Sequence, residues 1–246
     1  NINGELGDNT AASKSSPVQI GTSSWTLIYA NYSSAAIRSD GALFTWGSNG
    51  SGQLGSGTVV NRSSPVQVGT SSWTSVSVAQ SNMVGVKADG TLWSWGANPN
   101  GELGINGAIN GLRSSPVQIG ALSNWSNLIS SGNHIFVNGA IDTTGQMYLW
   151  GLSGAGGMVG DNSTVTRSSP VQVGANSIVN IIKARPTLLD SSSWTQVSAG
   201  KSHSLAIKSD QTLWGWGGWA AGVAANTSVL FSSPAQVGAL SYTKIS

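Results

Sequence analysis

The chain has 246 residues and no cysteine, which excludes a disulfide framework and any thiolate metal site. Only 8% of residues are charged, against about 25% in an ordinary globular protein, and the net charge of +2 is too small to imply nucleic acid or acidic lipid as a partner. No apolar run approaches the roughly 18 residues of a membrane-spanning helix, and no signal-peptide pattern is visible; Asn1 stands where a gene product would carry methionine, so a leader could precede it.

Residues 1–24 contain Asn3-Gly-Glu-Leu-Gly7, which recurs as Asn100-Gly-Glu-Leu-Gly104, and are read as the end of a repeat. Four repeats follow at 25–72, 73–124, 125–193 and 194–241, and 242–246 read as the start of another. Three marks keep one order throughout. Ser-Ser-Pro falls at Pro17, Pro65, Pro116, Pro170 and Pro234, with spacings of 48, 51, 54 and 64. Trp followed by Thr or Ser falls at Trp25, Trp73, Trp125 and Trp194, with Tyr242 in the same slot. Trp-Gly falls at Trp46, Trp95, Trp150 and Trp216.

Within a repeat of about fifty residues the pattern predicts four short strands. In the second repeat these are 73–78, 83–87, 91–95 and 116–119. Asp40-Gly41 and Asp89-Gly90 supply hairpin turns, where glycine takes a positive φ; Asp210-Gln211 is a weaker version. Each Ser-Ser-Pro proline suits the opening of a strand, where no ladder bond is lost. The pattern implies an all-β chain: a β-propeller of four-stranded blades, forming a segment of a larger ring. Phe44/Trp46, Trp93/Trp95, Tyr148/Trp150 and Trp214/Trp216 each share one strand face, with Leu43, Leu92, Leu149 and Leu213 on the other. Both faces are expected to be buried, which accounts for the tryptophans as packing.

The stretch Trp194-Thr-Gln-Val-Ser-Ala-Gly-Lys-Ser-His-Ser-Leu-Ala-Ile-Lys-Ser-Asp, followed by Leu213-Trp-Gly-Trp-Gly, resembles the regulator-of-chromosome-condensation repeat, also found in alpha-tubulin suppressor-like proteins. Gly52-Gln-Leu-Gly55 and Gly101-Glu-Leu-Gly104 are the clearest copies of its loop. The resemblance implies a ring of the seven-bladed type. It also places His203 and His134 in the family's histidine position, where the ring satisfies backbone groups. The Ser-, Thr- and Asn-rich style is similar to repeat proteins of tailed phages and environmental bacteria.

Catalysis needs titratable groups held together. The nine acids and two histidines show no metal-ligand spacing, the glycine-rich loops lack a phosphate-cradling lysine, and Gly-x-Ser-x-Gly is absent. No cofactor is expected, and the chain is read as non-enzymatic. Two features point to binding. Lys14, Arg62, Arg113 and Arg167 directly precede Ser-Ser-Pro and are expected to line one rim as a basic arc, with Arg38, Lys87 and Lys208 as a second set by the hairpin turns. Such an arc suits an anionic glycan or an acidic protein face, or consists of solvated loop charges; without exposed stacking aromatics it does not suit nucleic acid. The third repeat carries an insertion at 175–191 with Ile178, Ile181, Ile182, Lys183 and Arg185. It is expected either to dock another protein, such as a neighbouring subunit, or to fold back over the rim. The resulting expectation is a structural or adhesion propeller on a virion or cell surface, engaging protein subunits or surface glycan. The alternative is an intracellular, cytoplasmic regulatory propeller binding a small GTPase or chromatin.

Overall fold

The computed structural model describes residues 1–107, 109–131, 137–153, 157–173, 194–199, 203–217 and 231–241. All regular structure among them is β, and the paired strands run antiparallel apart from one two-residue parallel pairing. The chain forms two compact units: residues 1–99 with 105–128, and residues 100–104 with 129–246.

The first unit is a meander of β1 (Trp25–Ala30), β2 (Ser33–Arg38), β3 (Ala42–Gly47), β4 (Arg62–Val78), β5 (Asn82–Lys87), β6 (Leu92–Asn98) and β7 (Gly111–Gln118), hydrogen-bonded in that order, with β8 (Trp125–Leu128) following. β4 has 17 residues where two separate strands were expected. Its first half pairs with β3 and its second with β5. Gly69 lets one strand serve both sheets: it takes φ 60° in open space, and the Gln67 side chain donates to its carbonyl at 3.0 Å. The second unit contains β9 (Ser130–Ser131), β10 (Val137–Asp142), β11 (Met147–Gly151), β12 (Arg167–Gln172), β13 (Trp194–Ala199), β14 (His203–Lys208), β15 (Thr212–Gly217) and β16 (Phe231–Ser241). There β10, β11 and β12 pair in sequence, as do β13 to β16, and β9 runs parallel to β13.

The Trp-Thr mark has a local cause. Each of β1, β4 and β13 shifts register just after its tryptophan. The next threonine hydroxyl donates to a carbonyl of the facing strand: Thr26 to Ile37 at 3.0 Å, Thr74 to Val86 at 3.2 Å and Thr195 to Ile207 at 3.1 Å. The hydroxyl thus satisfies a group beside the interrupted ladder.

The remaining marks meet in one latch. The Trp46 indole N–H donates to the Glu5 carbonyl at 2.9 Å, Trp95 to Gln53 at 2.8 Å, Trp150 to Glu102 at 2.7 Å and Trp216 to Met158 at 3.0 Å. Each acceptor sits inside a Gly-x-x-Gly turn from the preceding repeat. The second glycine lies against the indole, so a Cβ on Gly55 would stand 2.8 Å from Trp95 Nε1 and one on Gly104 2.7 Å from Trp150 Nε1. The first glycine abuts the serine after the basic residue: Gly52 against Ser114, Gly101 against Ser168. Leu54, Leu103 and Val159 of these turns are wholly buried. In the first unit Leu54 joins Leu43, Val68, Trp73, Met83 and Trp95 in the core. In the second, Val159 joins Ile129, Val137, Met147, Leu149 and Trp216. Full burial of one such side chain is worth about 2–3 kcal/mol.

The expected burial of both strand faces needs correcting. Leu43, Leu92, Leu149 and Leu213 are buried, as are Trp46, Trp95, Trp150 and Trp216, but Phe44, Trp93, Tyr148 and Trp214 are only half-buried. These outer aromatics lie nearer the Asp-Gly turns, and in three of the four repeats a cation covers them.

Candidate functional site

The last residue of the second strand in a repeat lies over the outer aromatic of the third. The Arg38 guanidinium is 4.9 Å from the Phe44 ring centre. Lys87 Nζ lies 3.5 Å from Trp93 and 5.3 Å from Trp73. Lys208 Nζ lies 4.1 Å from Trp214 and 5.3 Å from Trp194. Each cation is thereby held by ring quadrupoles, an arrangement the sequence reading missed when it grouped these three as a basic set. Burial pushes the Lys87 ammonium below the usual lysine range. Arg38 also grips Asp40 at 2.7 Å, and that hydrogen bond holds the Asp40 carboxyl down at about 2. In the third repeat Asp142 replaces the cation and Tyr148 the tryptophan. The Asp142 carboxylate accepts from Thr144 N and Oγ1 and from Gln146 N. Burial first, then the Asp142 charge, push the Tyr148 phenol up.

A cleft of about 400 Å³ opens in the first unit beside one such pair. Trp25, Phe44 and Arg38 line one part of it, with Asp8, Asn9 and Gln19 among the polar groups. The Trp25 and Phe44 rings meet edge to face at 5.4 Å. Among the described residues no three His, Asp or Glu side chains come together in a metal-binding group. None of the helices a membrane span would require occurs there either.

The four predicted rim residues divide by partner. Arg62, Arg113 and Arg167 occupy one register position, opposite Gly47, Gly96 and Gly151 of the Trp-Gly marks. Arg167 donates through Nε to Asp161 at 2.6 Å and through a terminal nitrogen to Ser163 at 3.1 Å. Lys14 faces Asp8 at 3.6 Å. Among the described residues no carboxylate pairs with Arg62 or Arg113. The Arg62 Nε is buried without an acceptor, and Arg113 is exposed and donates only to the Leu112 carbonyl at 3.1 Å. Ile178, Ile181, Ile182, Lys183, Arg185 and His134 lie outside the described residues. His203 opens β14, paired with Gly217.

Residues 40–84 and 89–137 match the Regulator of chromosome condensation (RCC1) repeat, and residues 194–218 match a second form of that repeat. The matched stretches therefore carry RCC1-type repeats. A comparison with curated protein sequences yields no match. Human WBSCR16 is similar in structure, with a TM-score of 0.73 and 17% identity over 97% of this chain and 61% of that one. Prp20p of Saccharomyces cerevisiae, described with its binding to Gsp1p and histones, has a TM-score of 0.70 and 17% identity over 90% of this chain and 52% of that one. The same yeast protein in its complex with Kap60 gives 0.70 and 16%, over 90% and 50%. These likenesses show an RCC1-like propeller fold. The chain spans between half and about three fifths of the structures it resembles.

Proposed function

We propose that the chain is a non-enzymatic binding propeller, built of four-stranded blades belonging to a seven-bladed type of ring. Its place is a virion or cell surface, where it serves as a structural or adhesion module engaging protein or glycan. One observation carries this reading. The residues that recur between repeats hold the sheets together through bulge, turn and latch, whereas the segments before Ser-Ser-Pro differ in sequence between copies and expose apolar side chains. Val59 and Val60, Ile109 and Leu112, and Val165 are such side chains, each about half exposed or slightly more. A frame that repeats while its loops vary is suited to recognition.

A second reading has its own support. The yeast protein of like fold is described with binding to Gsp1p and histones, which favours an intracellular regulatory propeller. Two measurements separate the readings. Antibody raised against the chain is expected to label the outer surface of intact particles or cells, and labelling only after lysis would overturn the surface assignment. Purified chain is expected to leave the release of fluorescent GDP from Gsp1p unchanged; acceleration would establish the second reading.

A further inference from the structure

The two ends of the sheets in the first unit differ in chemistry. At the hairpin-turn end one large apolar side chain, Leu122, is exposed, and the charges are matched: Arg38 with Asp40 at 2.7 Å, and Asp89 two residues after Lys87 and held by Thr91. At the other end, exposed apolar side chains stand beside arginines that no carboxylate matches among the described residues. Val59 is 48% and Val60 58% exposed just before Arg62, and Ile109 is 46% and Leu112 49% exposed just before Arg113.

These apolar side chains are displayed on a fixed frame. Asn49 is wholly buried and ties the first loop together: its side-chain nitrogen donates to the Thr58 and Val60 carbonyls, both at 3.0 Å, and its backbone nitrogen to the Asn61 side chain at 2.8 Å. Leu112 is held in the β6–β7 ladder opposite Ala97. The two segments adjoin, because Gly57 N donates to the Ser114 carbonyl at 2.7 Å, next to Arg113. A rigid loop that keeps valines in water loses little conformational freedom when something covers them.

We infer that Val59, Val60, Ile109 and Leu112, flanked by Arg62 and Arg113, form a docking surface for an acidic, apolar peptide segment of a protein partner. The arginines take its carboxylates and the four aliphatic side chains take its apolar residues. The inference deepens the protein-binding reading above and rests on it. Arginine suits carboxylates because its planar fork donates in pairs. Two unmatched cations and no Trp or Phe among these apolar side chains are poor equipment for an anionic bilayer, which takes clustered basic residues and larger apolar wedges.

The test selects random displayed dodecapeptides on the full chain, then measures the selected peptides against the chain with Arg62→Glu and Arg113→Glu together. Selected sequences are expected to combine Asp or Glu with Leu, Ile or Phe, and the double variant is expected to bind them about tenfold more weakly or worse. Arg113→Gln alone, at an exposed side chain, is the milder variant and is expected to weaken binding with an unchanged unfolding midpoint. Peptides without acids, or equal binding by the double variant, would overturn this surface while leaving the protein-binding reading intact. Co-sedimentation of the chain with phosphatidylserine–phosphatidylcholine vesicles, abolished by the same charge reversal, would overturn it in favour of a membrane.

Discussion

In the second repeat the Trp95 indole donates to the Gln53 carbonyl at 2.8 Å, and Lys87 lies 3.5 Å from the Trp93 ring. In the third, Trp150 donates to Glu102 at 2.7 Å, but Asp142 stands where Lys87 would be and Tyr148 where Trp93 would be. The latch is the same while the outer slot has reversed its charge. Position within the repeat explains the difference. The latch sits among wholly buried groups, where an unmade hydrogen bond costs about 1–3 kcal/mol. The slot is half-exposed, where cation and ring contribute about 0.5–1 kcal/mol, so replacing the cation is a small loss that a well-capped turn offsets.

The largest break in this comparison comes from the second glycine of the latch. Gly55→Val and Gly104→Val each place a branched side chain at a left-handed φ of 66° or 65°, against an indole. Backbone strain and overpacking together are expected to cost about 3 kcal/mol in either repeat. Urea unfolding of the two variants checks this, and a tolerant Gly104→Val would end the equivalence of the two latches.

The next effect sharpens the comparison. The Glu102 carbonyl also accepts from the Asn138 side chain at 2.9 Å, and the Glu5 carbonyl from the Ser34 hydroxyl at 2.9 Å. Met83 occupies that position in the second repeat, opposite Trp95, and has no donor to offer. Trp95→Phe is therefore expected to cost about 2 kcal/mol, and Trp150→Phe about 1 kcal/mol less. Equal losses in chemical denaturation would show that the second donor contributes nothing.

Much of the frame is legible in the sequence because its period is carried by bulky or conformationally special residues. Trp-Gly, Ser-Ser-Pro and Asp-Gly each act locally, so their spacing marks the strands. The latch is not legible in that way: its acceptor is a backbone carbonyl some forty to sixty residues from the indole, and a carbonyl leaves no trace in residue type. The continuous β4 was hidden because Gly69 reads as a break, although its open surroundings let the strand turn and continue. Lys87 and Lys208 read as solvent charges because sequence period assigns a face but does not show that a ring lies beneath the cation. Of the rim residues, Arg62 and Arg113 could be found from their place before Ser-Ser-Pro. That Asp161 matches Arg167 depends on a turn closing six residues earlier, which the pattern does not reveal.

Charge reversal in the outer slot tests the smaller term. Lys87→Asp removes the cation from between Trp73 and Trp93 and is expected to cost about 1 kcal/mol. The reciprocal Asp142→Lys removes the acceptor for Thr144 and Gln146 and is expected to cost a similar amount. Thermal unfolding of both checks this; a stabilised Asp142→Lys would mean that the turn contributes less than the ring contact that the third repeat lacks.

The smallest effect lies at the turn of the fourth repeat. Gly41, Gly90 and Gly145 each donate their backbone N–H to the residue three before, with φ of 85°, 79° and 82°. Gln211 makes the same bond to Lys208 at 2.9 Å, with φ 67°. Asp210 pins the turn by accepting from Thr212 N and Oγ1 at 2.9 and 2.6 Å, so the backbone is held left-handed although the side chain disfavours it. Gln211→Gly relieves about 1 kcal/mol of that strain but returns freedom to the unfolded chain, leaving a net gain of about 0.5 kcal/mol. The opposite change, Gly90→Gln, is not its mirror image: a Cβ there would stand 2.1 Å from the Ser123 carbonyl oxygen, so it must displace backbone and is expected to destabilise by more than the first change stabilises. A rise in the unfolding midpoint for Gln211→Gly with a larger fall for Gly90→Gln would place the difference between these turns in their surroundings; equal and opposite shifts would place it in the backbone dihedral alone.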